Sequence, residues 1–593
     1  MKVRCCLLFI LFTATAYAQQ ATEYDTLVNT TLYTVSGKKV NPFLPFAGKT
    51  IRHIYIKPIG FESAVNDTNS LRKGIGIAAA NNLHKNTRIK VIQNNLLFKQ
   101  GDRLNPYLLS DNERYLRDLN FIQDALFIIQ KIPGSPNEVN IVVVIKDVFS
   151  LGPGAGIGGT QKFNLELKDE NVGGSGNRIA AGVLFDNNRT PRLGINAEFL
   201  KRNIGGSFIN WGLGYKSYAN AFNSNRNEEK QYYIRFEKPL VSQYLTWLGG
   251  LDAGLYKTSN AYLTDSLYNS DFKYSYYSID AWAAYNFGTK KLRHTGIKST
   301  VRKFLAIRAY HRNFTSAPDK TNQYYDGTYA NYAAVLGSFS LFKQNFYRTT
   351  YIYGFGRNED VPVGFSAALI SGYSIRRDSQ YNQLITRPYF GIEAQRSKYN
   401  QKGYYSFYTF RLGGHRYKGG WQDVDLLLNI DHFTRLKPIA TNWYRRFFIS
   451  GGFTRQFSPV LEQALQLKSN FGLPYFDFGY IPADMRTTLK TEAVFYHSKK
   501  WWGFGFAPFA FADMCLLKPT RQSFSKSEMY TAVGGGFRIR NEALIFGTIE
   551  ARFSYYPHLL PGINHFKIKF NTNLRYKYNN SFYRKPDFVA PNS

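Results

Sequence analysis

The residues that best match a cofactor motif are the glycines between Gly154 and Gly159, which fit the pattern G-x-G-x-x-G. In dinucleotide-binding folds this pattern opens a helix, whose N-terminus binds the pyrophosphate. Here the residues that follow, Lys162 to Leu167, alternate between polar and apolar types as a strand does. The pattern is therefore interpreted as a flexible glycine-rich stretch, and no cofactor is expected.

Other catalytic groupings are weak. The nine histidines are scattered, and none stands in H-E-x-x-H or with cysteine at metal-ligand spacing. The sequence has no G-x-S-x-G nucleophile elbow. Asp423 and Asp425 share one predicted strand face, and we expect them to line an aqueous interior rather than to act as general acid and base. The chain is predicted not to be an enzyme, with no catalytic residue and no metal ligand assigned.

The N-terminal residues predict export. A basic start, the apolar run Leu7 to Phe12 and the small-residue site Ala16 to Ala18 together make a signal peptide over residues 1–18. After its removal only Cys515 remains, so no internal disulfide is expected.

Charge and aromatic content narrow the class of protein further. The chain carries 75 basic and 41 acidic residues, a formal charge of +34. The cations are spread through the sequence without a basic helix, so a nucleic-acid partner is not expected. Loops beside anionic lipid and a cationic interior explain the charge more simply. Aromatic residues make up 17% of the chain, which is typical of the girdles of membrane barrels.

From about residue 150 onward the sequence alternates between apolar and polar residues. In Phe566 to Tyr578 the even positions are apolar or Thr, and every odd position is Lys, Asn or Arg. Thr531 to Arg540 and Gly547 to Tyr555 repeat the pattern. A period of two predicts strands with one apolar and one wet face. In an exported chain this indicates an antiparallel transmembrane β-barrel over residues 150–580, with roughly 16 to 20 strand candidates and a polar C-terminal tail over residues 581–593.

The residues before the barrel have a different pattern. Residues 19–49 are polar and are predicted to form an extension or linker. Residues 50–148 predict a small α+β domain with the element order β-α-α-β-β. Its predicted elements are a strand at 51–59, helices at 69–83 and near Ser110 to Leu119, the second capped by Ser110 or Asp111 with Glu113, and strands at 122–131 and 139–148.

Several stretches match a known family in their order. They are Phe98, Gly101, Asp102, Leu104, Asn112 to Arg114, Leu116, Phe121 and Val139 to Val148 in the domain, and Gly154 to Gly159, Asn171 to Gly176 and Ala532 to Arg540 in the barrel. With them the chain resembles the Omp85 superfamily of outer-membrane assembly and translocation barrels over about residues 50–580. The resemblance implies a periplasmic POTRA domain followed by a barrel of about 16 strands.

One loop departs from that family. Omp85 proteins carry an Arg-Gly-aromatic motif in the sixth extracellular loop, which folds back and is anchored in the lumen. The equivalent here is Ser469 to Tyr475, with Gly472, Leu473, Pro474 and Tyr475 at its centre. Five strand candidates follow it, as the family pattern requires. Pro474 stands about where the family has arginine, which argues against the family's anchoring salt bridge and indicates a divergent branch.

The resemblance implies a barrel that inserts outer-membrane proteins or moves a polypeptide across the outer membrane. The POTRA-like domain would bind unfolded or extended clients by strand addition, with periplasmic or lipoprotein partners and outer-membrane lipid around the barrel. The barrel would close along a weak, glycine-rich seam that opens sideways. The predicted seam residues are Gly158, Gly159, Phe163 and Leu165 on one lip and Phe566, Ile568, Phe570 and Leu574 on the other.

Two other functions stay open at this point. One is a passive channel or structural surface barrel whose periplasmic domain only docks to partners. The other is a soluble exported β-sandwich that binds glycans. Conductance in planar bilayers distinguishes the first from a client-handling barrel, and detergent-dependent solubility excludes the second.

Overall fold

The computed structural model describes residues 41–59, 85–157, 161–224, 226–289, 292, 301–322, 327–377, 384–400, 402–461, 463–476, 481–501, 503–545, 547–558, 564–571 and 583–592. Residues Pro42–Ser593 form one compact unit. The predicted signal peptide, most of the predicted extension and the predicted helix at 69–83 lie outside the described residues. Among the described residues, no helix has the length and apolar character needed to cross a membrane.

The described part of residues 42–148, called here the N-terminal domain, contains a three-stranded sheet and two helices. In chain order these are β1 (Thr50–Ile59), α1 (Ile89–Asn94), α2 (Pro106–Asp118), β2 (Ile122–Ile132) and β3 (Ser135–Asp147). The strand order is β1-β3-β2, with β1 parallel and β2 antiparallel to β3. Strands β2 and β3 lie where the sequence predicted strands at 122–131 and 139–148, whereas α1 was not predicted.

Helix α2 begins earlier than the sequence predicted. Its N-cap is Asn105, whose side-chain oxygen accepts hydrogen bonds from the backbone amides of Tyr107 (3.1 Å) and Leu108 (3.2 Å). Pro106 takes the first helical position, where its missing N–H costs nothing. The predicted cap at Ser110 was therefore wrong, because Asn105, five residues upstream, already accepts hydrogen bonds from the first free amides of the helix.

A second, antiparallel sheet contains the remaining strands. They are β4 (Leu151–Ile157), β5 (Lys162–Asp169), β6 (Arg178–Asp186), β7 (Leu193–Lys201), β8 (Asn210–Asn220), β9 (Asn227–Lys238), β10 (Trp247–Thr258), β11 (Ser275–Asn286), β12 (Arg302–Ser316), β13 (Asn331–Thr349), β14 (Glu359–Arg377), β15 (Leu384–Tyr399), β16 (Tyr405–Tyr417), β17 (Gly420–Phe433), β18 (Lys437–Ala440), β19 (Trp443–Phe457), β20 (Ala483–His497), β21 (Phe504–Pro519), β22 (Glu528–Asn541), β23 (Ile549–Tyr555) and β24 (Phe566–Asn571). A third helix, α3 (Asp265–Asp271), lies between β10 and β11, and 3-10 turns occur at Leu44–Phe46, Val172–Gly174, Ile204–Gly206, Asp319–Asn322, Gly327–Tyr329 and Phe524–Lys526.

The strand order of this sheet returns to its start, with β24 beside β4, as in a closed barrel. The order contains 21 strands from β4 to β24. Strand β18 is only four residues long and lies within the β17–β19 connection, while β17 and β19 also pair directly. Among the described residues twenty strands therefore form the wall, whereas the family resemblance implied about sixteen. Alternation identifies individual strands but does not count how many join one sheet.

The two faces of the barrel wall have opposite polarity. On β12, Leu305 and Ile307 point outward and are 54% and 58% exposed, whereas Phe304 and Ala306 point inward and are buried. On β24 the outward Phe566 is 70% exposed. Charged side chains lie mainly on the inner face, where many are buried. A soluble protein buries its apolar residues and exposes its charges, so the reverse arrangement is that of a wall facing lipid.

The barrel has two distinguishable ends. Strand β4 begins directly after the N-terminal domain, and the end at which it begins is called the near end. Because successive strands alternate in direction, the connections β5–β6, β7–β8, β9–β10, β11–β12 and β13–β14 also lie there. The opposite, far end carries the long connection between β19 and β20, which the sequence analysis treated as the equivalent of the sixth loop.

Candidate functional site: the barrel lumen and its near-end rim

The near-end rim supplies side chains to the hydrophobic core of the N-terminal domain. Tyr244, from the β9–β10 connection, and Leu292, from the β11–β12 connection, are buried in the same cluster as Leu109 and Phe121 of the domain. Phe208, from the β7–β8 connection, meets the ring of Tyr115 edge-on at 5.8 Å. The domain is therefore not tethered loosely to the barrel but shares its core with three barrel turns.

A group of buried charges, called here the rim cluster, joins α2 to the wall. Arg117 lies 2.7 Å from Glu113 of its own helix and 2.7 Å from Asp360 at the start of β14. Arg348 of β13 reaches the same two carboxylates at 3.0 and 3.5 Å. Burial lowers the pKa of Arg117, but the carboxylates of Asp360 and Glu113 outweigh that effect and raise it above its ordinary value. The cluster pairs two cations with two anions, so their mutual attraction offsets the desolvation cost of burying them.

The rim cluster also covers the edge of β2. The backbone amide of Phe127 donates to Glu113 Oε2 at 3.2 Å, and Arg117 Nη1 donates to the carbonyl of Ala125 at 3.2 Å. Strand β2 is an edge strand of its sheet, and unpaired edge groups are what a client strand would bind. Side chains that link the domain to the rim therefore occupy part of the surface predicted for strand addition.

A second polar connection fastens the domain to the β5–β6 turn. Asp147 accepts a hydrogen bond from the Thr87 amide at 2.6 Å, and Asn171 Nδ2 donates to Thr87 Oγ1 at 2.9 Å. Arg88 donates from its backbone amide to the carbonyl of Gly174 at 2.9 Å. Burial raises the pKa of the Asp147 carboxyl to about 6, against the opposing effect of the Thr87 hydrogen bonds.

Within the barrel, four charged side chains form a buried quartet on β20, β22 and β23. Arg538 binds both carboxylate oxygens of Glu492, at 2.7 and 2.9 Å, and donates to Glu550 at 2.8 Å. Arg552 contacts Glu550 at 2.9 Å and Glu492 at 3.2 Å. The alternation of Arg and Glu along the predicted strands Thr531–Arg540 and Gly547–Tyr555 indicated inward charges, and the structure shows them paired.

A short segment after β13, residues 350–357, folds into the lumen from the near end. Glu359 accepts hydrogen bonds from the backbone amides of Ile352, Tyr353 and Gly354 at 2.8 to 3.0 Å. The Tyr496 hydroxyl donates to the Ile352 carbonyl at 3.2 Å. Ile352 is buried in a hydrophobic cluster with Tyr496 and Phe355, so the segment fills space that an open pore would leave to water.

The far-end loop, named from the sequence as the equivalent of the sixth loop, folds into the lumen. Leu473 is buried, and its amide donates to the Leu467 carbonyl at 2.8 Å. The Tyr475 carbonyl accepts hydrogen bonds from the Tyr556 hydroxyl (3.2 Å) and Lys569 Nζ (3.3 Å). The guanidinium of Arg552 lies over the Tyr475 ring, 4.9 Å from its centroid.

The polarity of this anchor differs from the one implied by the family. The cation belongs to the wall and the aromatic ring to the loop, so Pro474 does not need to be an arginine. Gly472 lies in a tight turn, where a Cβ atom would collide with the Leu467 carbonyl oxygen. The structure places Gly472, Leu473, Pro474 and Tyr475 in the far-end loop, which is held by wall contacts that the sequence did not predict.

Residues 583–592, called here the lumenal segment, have neither helix nor strand structure and lie among inward-facing wall residues. At its start Tyr583 contacts Phe304 near the near end, with ring centroids 4.7 Å apart. At its end Asn592 accepts a hydrogen bond from Arg486 at 3.2 Å, at the far end of β20. The segment therefore runs along the lumen toward the far end, a course that its polar sequence did not reveal.

The seam residues are placed differently from the prediction. Phe163 and Leu165 lie in β5, which pairs with β4 and β6, so they are one strand removed from the closure. The first strand of the seam is β4, because the glycine-rich stretch before Lys162 is itself a strand. The prediction that the strand starting at Lys162 forms the first lip was therefore wrong. Phe566, Ile568 and Phe570 lie in β24, beside β4. Gly158, Gly159 and Leu574 lie outside the described residues.

The motifs considered for catalysis have structural positions in the wall. Gly154 and Gly156 are part of β4 and pair with β5, so they open no helix. Asp423 is buried, forms an ion pair with Arg387, and accepts hydrogen bonds from the amides of Val460 and Leu461. Within the described ranges, no three His, Cys, Asp or Glu side chains are grouped so that they could hold a metal ion.

No family model and no curated protein matches the sequence. Among solved structures, the chain is similar to BamA from Haemophilus ducreyi lacking POTRA domains 1–3, at 10% identity over 88% of this chain and 84% of that one, with a TM-score of 0.30. It is also similar to CdiB from Escherichia coli, at 10% identity over 88% and 76% of the two chains with a TM-score of 0.41. CdiB from Acinetobacter baumannii matches at 8% identity over 88% and 73%, with a TM-score of 0.38.

Scores at this level are too low to transfer a function or the role of any residue. What this chain does is therefore inferred from its own strands, charges and contacts.

Proposed function

We propose that this chain is an outer-membrane barrel that handles polypeptide clients, by inserting them into the membrane or moving them across it. The near end, with the N-terminal domain, would face the periplasm, and the far end the exterior. The predicted signal peptide and the outward apolar face of the wall support this placement, because exported barrels cross the outer membrane with alternating strands.

The observation that carries the proposal is the occupied lumen. The lumenal segment is an irregular stretch of polypeptide, and inward side chains from several strands hold it through charge, aromatic and backbone contacts. A lumen built in this way accommodates an unfolded chain. A passive channel needs an open aqueous path, whereas residues 350–357 and the far-end loop fill this one from both ends.

The seam of the barrel supports a role in insertion. Strand β4 has the sequence Leu-Gly-Pro-Gly-Ala-Gly-Ile, with three glycines and one proline in seven residues. Proline cannot donate a ladder hydrogen bond, and glycine weakens strand pairing because ordering it costs more entropy. A lip of this composition would separate from β24 more easily than neighbouring strand pairs, and its freed edge would template a client strand.

The N-terminal domain is proposed to receive the client first. Strand addition to β2 would use the edge beyond Phe127. The Ala125 carbonyl and the Phe127 amide are already hydrogen-bonded to Arg117 and Glu113. Release of the rim cluster would lengthen the available edge. Periplasmic or lipoprotein partners of the domain belong to this proposal as well, and would bind where the domain faces away from the rim.

Photocrosslinking in living cells tests the function. A photoreactive amino acid at Trp282, which faces the lumen, or at Ile129, on the β2 edge, is expected to trap polypeptide clients identifiable by mass spectrometry. The matched control carries the same photoreactive amino acid at Leu305, which faces outward. It should not trap the polypeptides that the lumen position traps.

Conductance provides the second arm of the test. In planar bilayers the intact protein should give small, flickering currents. A large, steady conductance together with no client adducts at Trp282 or Ile129 would support the passive channel and overturn the proposal. Cysteine pairs scanned along β4 and β24 add a check on insertion, since a crosslinked seam that inserts clients normally would exclude lateral opening.

A further inference from the structure

The wall around the lumenal segment carries charges that complement it. Lys585 Nζ lies 2.6 Å from Asp280, and Arg584 lies 3.2 Å from Glu393. The carboxylate of Asp587 lies 2.5 Å from Arg308 of β12. Two basic residues followed by an acidic one thus face two wall carboxylates followed by a wall arginine.

An aromatic site receives the next side chain of the segment. The Phe588 ring meets Tyr389 edge-on at 4.7 Å and stacks on His415 at 5.3 Å. Tyr332 lies 6.2 Å away on a third side. Aromatic contacts of this kind add to the gain from burying the ring, and they anchor many peptide complexes.

The wall also binds the backbone of the segment. The Val589 amide donates to the Tyr389 hydroxyl at 3.0 Å, and the Pro591 carbonyl accepts from Arg486 at 2.6 Å. The Pro586 carbonyl accepts from Arg308 at 3.2 Å. Contacts to main-chain groups tolerate changes in side chain, so they would serve any extended polypeptide that follows the same path.

The far end completes the track. Asn592 accepts a hydrogen bond from the Gln466 amide and donates one to the Ala464 carbonyl, both at 2.9 Å. Its side-chain amide thus pairs with the loop backbone as a neighbouring strand would. Beside the start of the segment is a cavity of about 580 Å³, lined by Arg235, Asp252 and Trp282 among others.

We propose that this wall, formed by Asp280, Arg308, Tyr389, Glu393 and Arg486, is a binding site for an extended peptide with two adjacent basic residues and an aromatic residue three positions later. The lumenal segment is its resident occupant, and a client with the same chemistry displaces it. The inference deepens the proposed function by stating which polypeptide segments the lumen prefers. The displacement of the segment by a client rests on that proposed function.

A labelled synthetic peptide tests the site. The probe is Tyr-Arg-Lys-Pro-Asp-Phe-Val-Ala-Pro-Asn, the sequence of residues 583–592, and its binding is followed by fluorescence anisotropy on protein in nanodiscs. A variant without residues 583–593 that still shows heat-modifiable migration should bind the probe saturably. The intact protein should bind it at least about tenfold more weakly, because the site is occupied.

Two substitutions define the chemistry. In the deletion background, Glu393→Gln with Asp280→Asn should weaken binding about tenfold or more, since each loses a charge-assisted hydrogen bond. A peptide with alanine in place of its phenylalanine should weaken similarly. A scrambled peptide is the matched control. If the deletion variant does not fold, the full chain with Lys585→Ala and Phe588→Ala, which loosens the occupant, should bind the probe instead.

The inference is overturned if a folded variant with the site vacated or loosened fails to bind the probe up to about 1 mM, or binds the scrambled peptide equally well. Such a result leaves client handling untouched, because photocrosslinking reads that separately. Conversely, a barrel that binds the probe but traps no client would retain the site and lose the proposed function.

Discussion

Replacement of Arg117 by alanine is expected to loosen the N-terminal domain from the barrel rim. The Arg117 side chain is 5% exposed, and it separates the carboxylates of Glu113 and Asp360. Breaking a buried ion pair by removing one partner costs about 3–5 kcal/mol. Arg348 still reaches both carboxylates, so we expect the lower value, about 3 kcal/mol.

Hydrogen exchange measured by mass spectrometry on the full chain in nanodiscs reads this loss. A decrease of about 3 kcal/mol in the free energy of local opening speeds amide exchange about 100-fold in β2 and β3. The matched control is Arg52→Ala in the same domain, whose 3.5 Å contact with Glu138 joins side chains that are 50% and 38% exposed. That pair should be worth less than about 1 kcal/mol, or about fivefold in exchange.

Two outcomes would refute the reasoning. If Arg117→Ala changes exchange in β2 and β3 no more than Arg52→Ala does, the rim cluster does not hold the domain. If protection falls equally in β20 to β22, the variant has damaged the barrel rather than the interface. A double-mutant cycle with Asp360→Asn isolates the pair itself and should show a coupling energy of at least about 1 kcal/mol.

Three further perturbations have defined outcomes. Burial raises the pKa of Asp147 to about 6, so between about pH 4 and pH 6 the folded chain binds more protons than the unfolded chain. The free energy of unfolding therefore falls as pH rises through that window. Asp147→Asn should flatten this slope in thermal unfolding followed by circular dichroism. Tyr475→Ala should open the far-end loop to added protease, whereas Tyr475→Phe should not, because the contacts use the ring and the backbone carbonyl. Gly534→Ala places a Cβ atom against the Phe553 carbonyl oxygen, whereas Gly337→Ala meets nothing closer than 3.8 Å, so only the first should lower the temperature at which the folded band is lost in heat-modifiability gels.

Local patterns in the sequence were sufficient for much of the fold. The five strands after the far-end loop were predicted from alternation, which depends only on the two faces of each strand. Strand β4 was missed as the first lip because glycine and proline lack the side chains that alternation requires. The cap of α2 could have been found, since Asn105 before Pro106 is a recognisable helix start.

The lumen could not be predicted in the same way. Lys585 meets Asp280 across 305 residues of sequence, and Arg584 meets Glu393 across 191. Such pairs depend on which parts of the chain meet in the folded barrel. The alternation of polar and apolar residues within one strand carries no information about that. The rim cluster could not be predicted locally either, because Arg117 and Asp360 are 243 residues apart in the sequence.

The shared core at the rim has a consequence for the order in which this molecule folds. Tyr244 and Leu292 complete the hydrophobic interior of a domain whose own residues end at 148, and Asn105 bonds to Leu292 across 187 residues. Chains are made and exported from the N-terminus, so the domain emerges first. It nevertheless lacks part of its interior until the barrel turns that share its core arrive, and contacts between such distant residues form late. The part of the chain that is made first is thus finished last, and its completion reports that the adjoining barrel strands are in place.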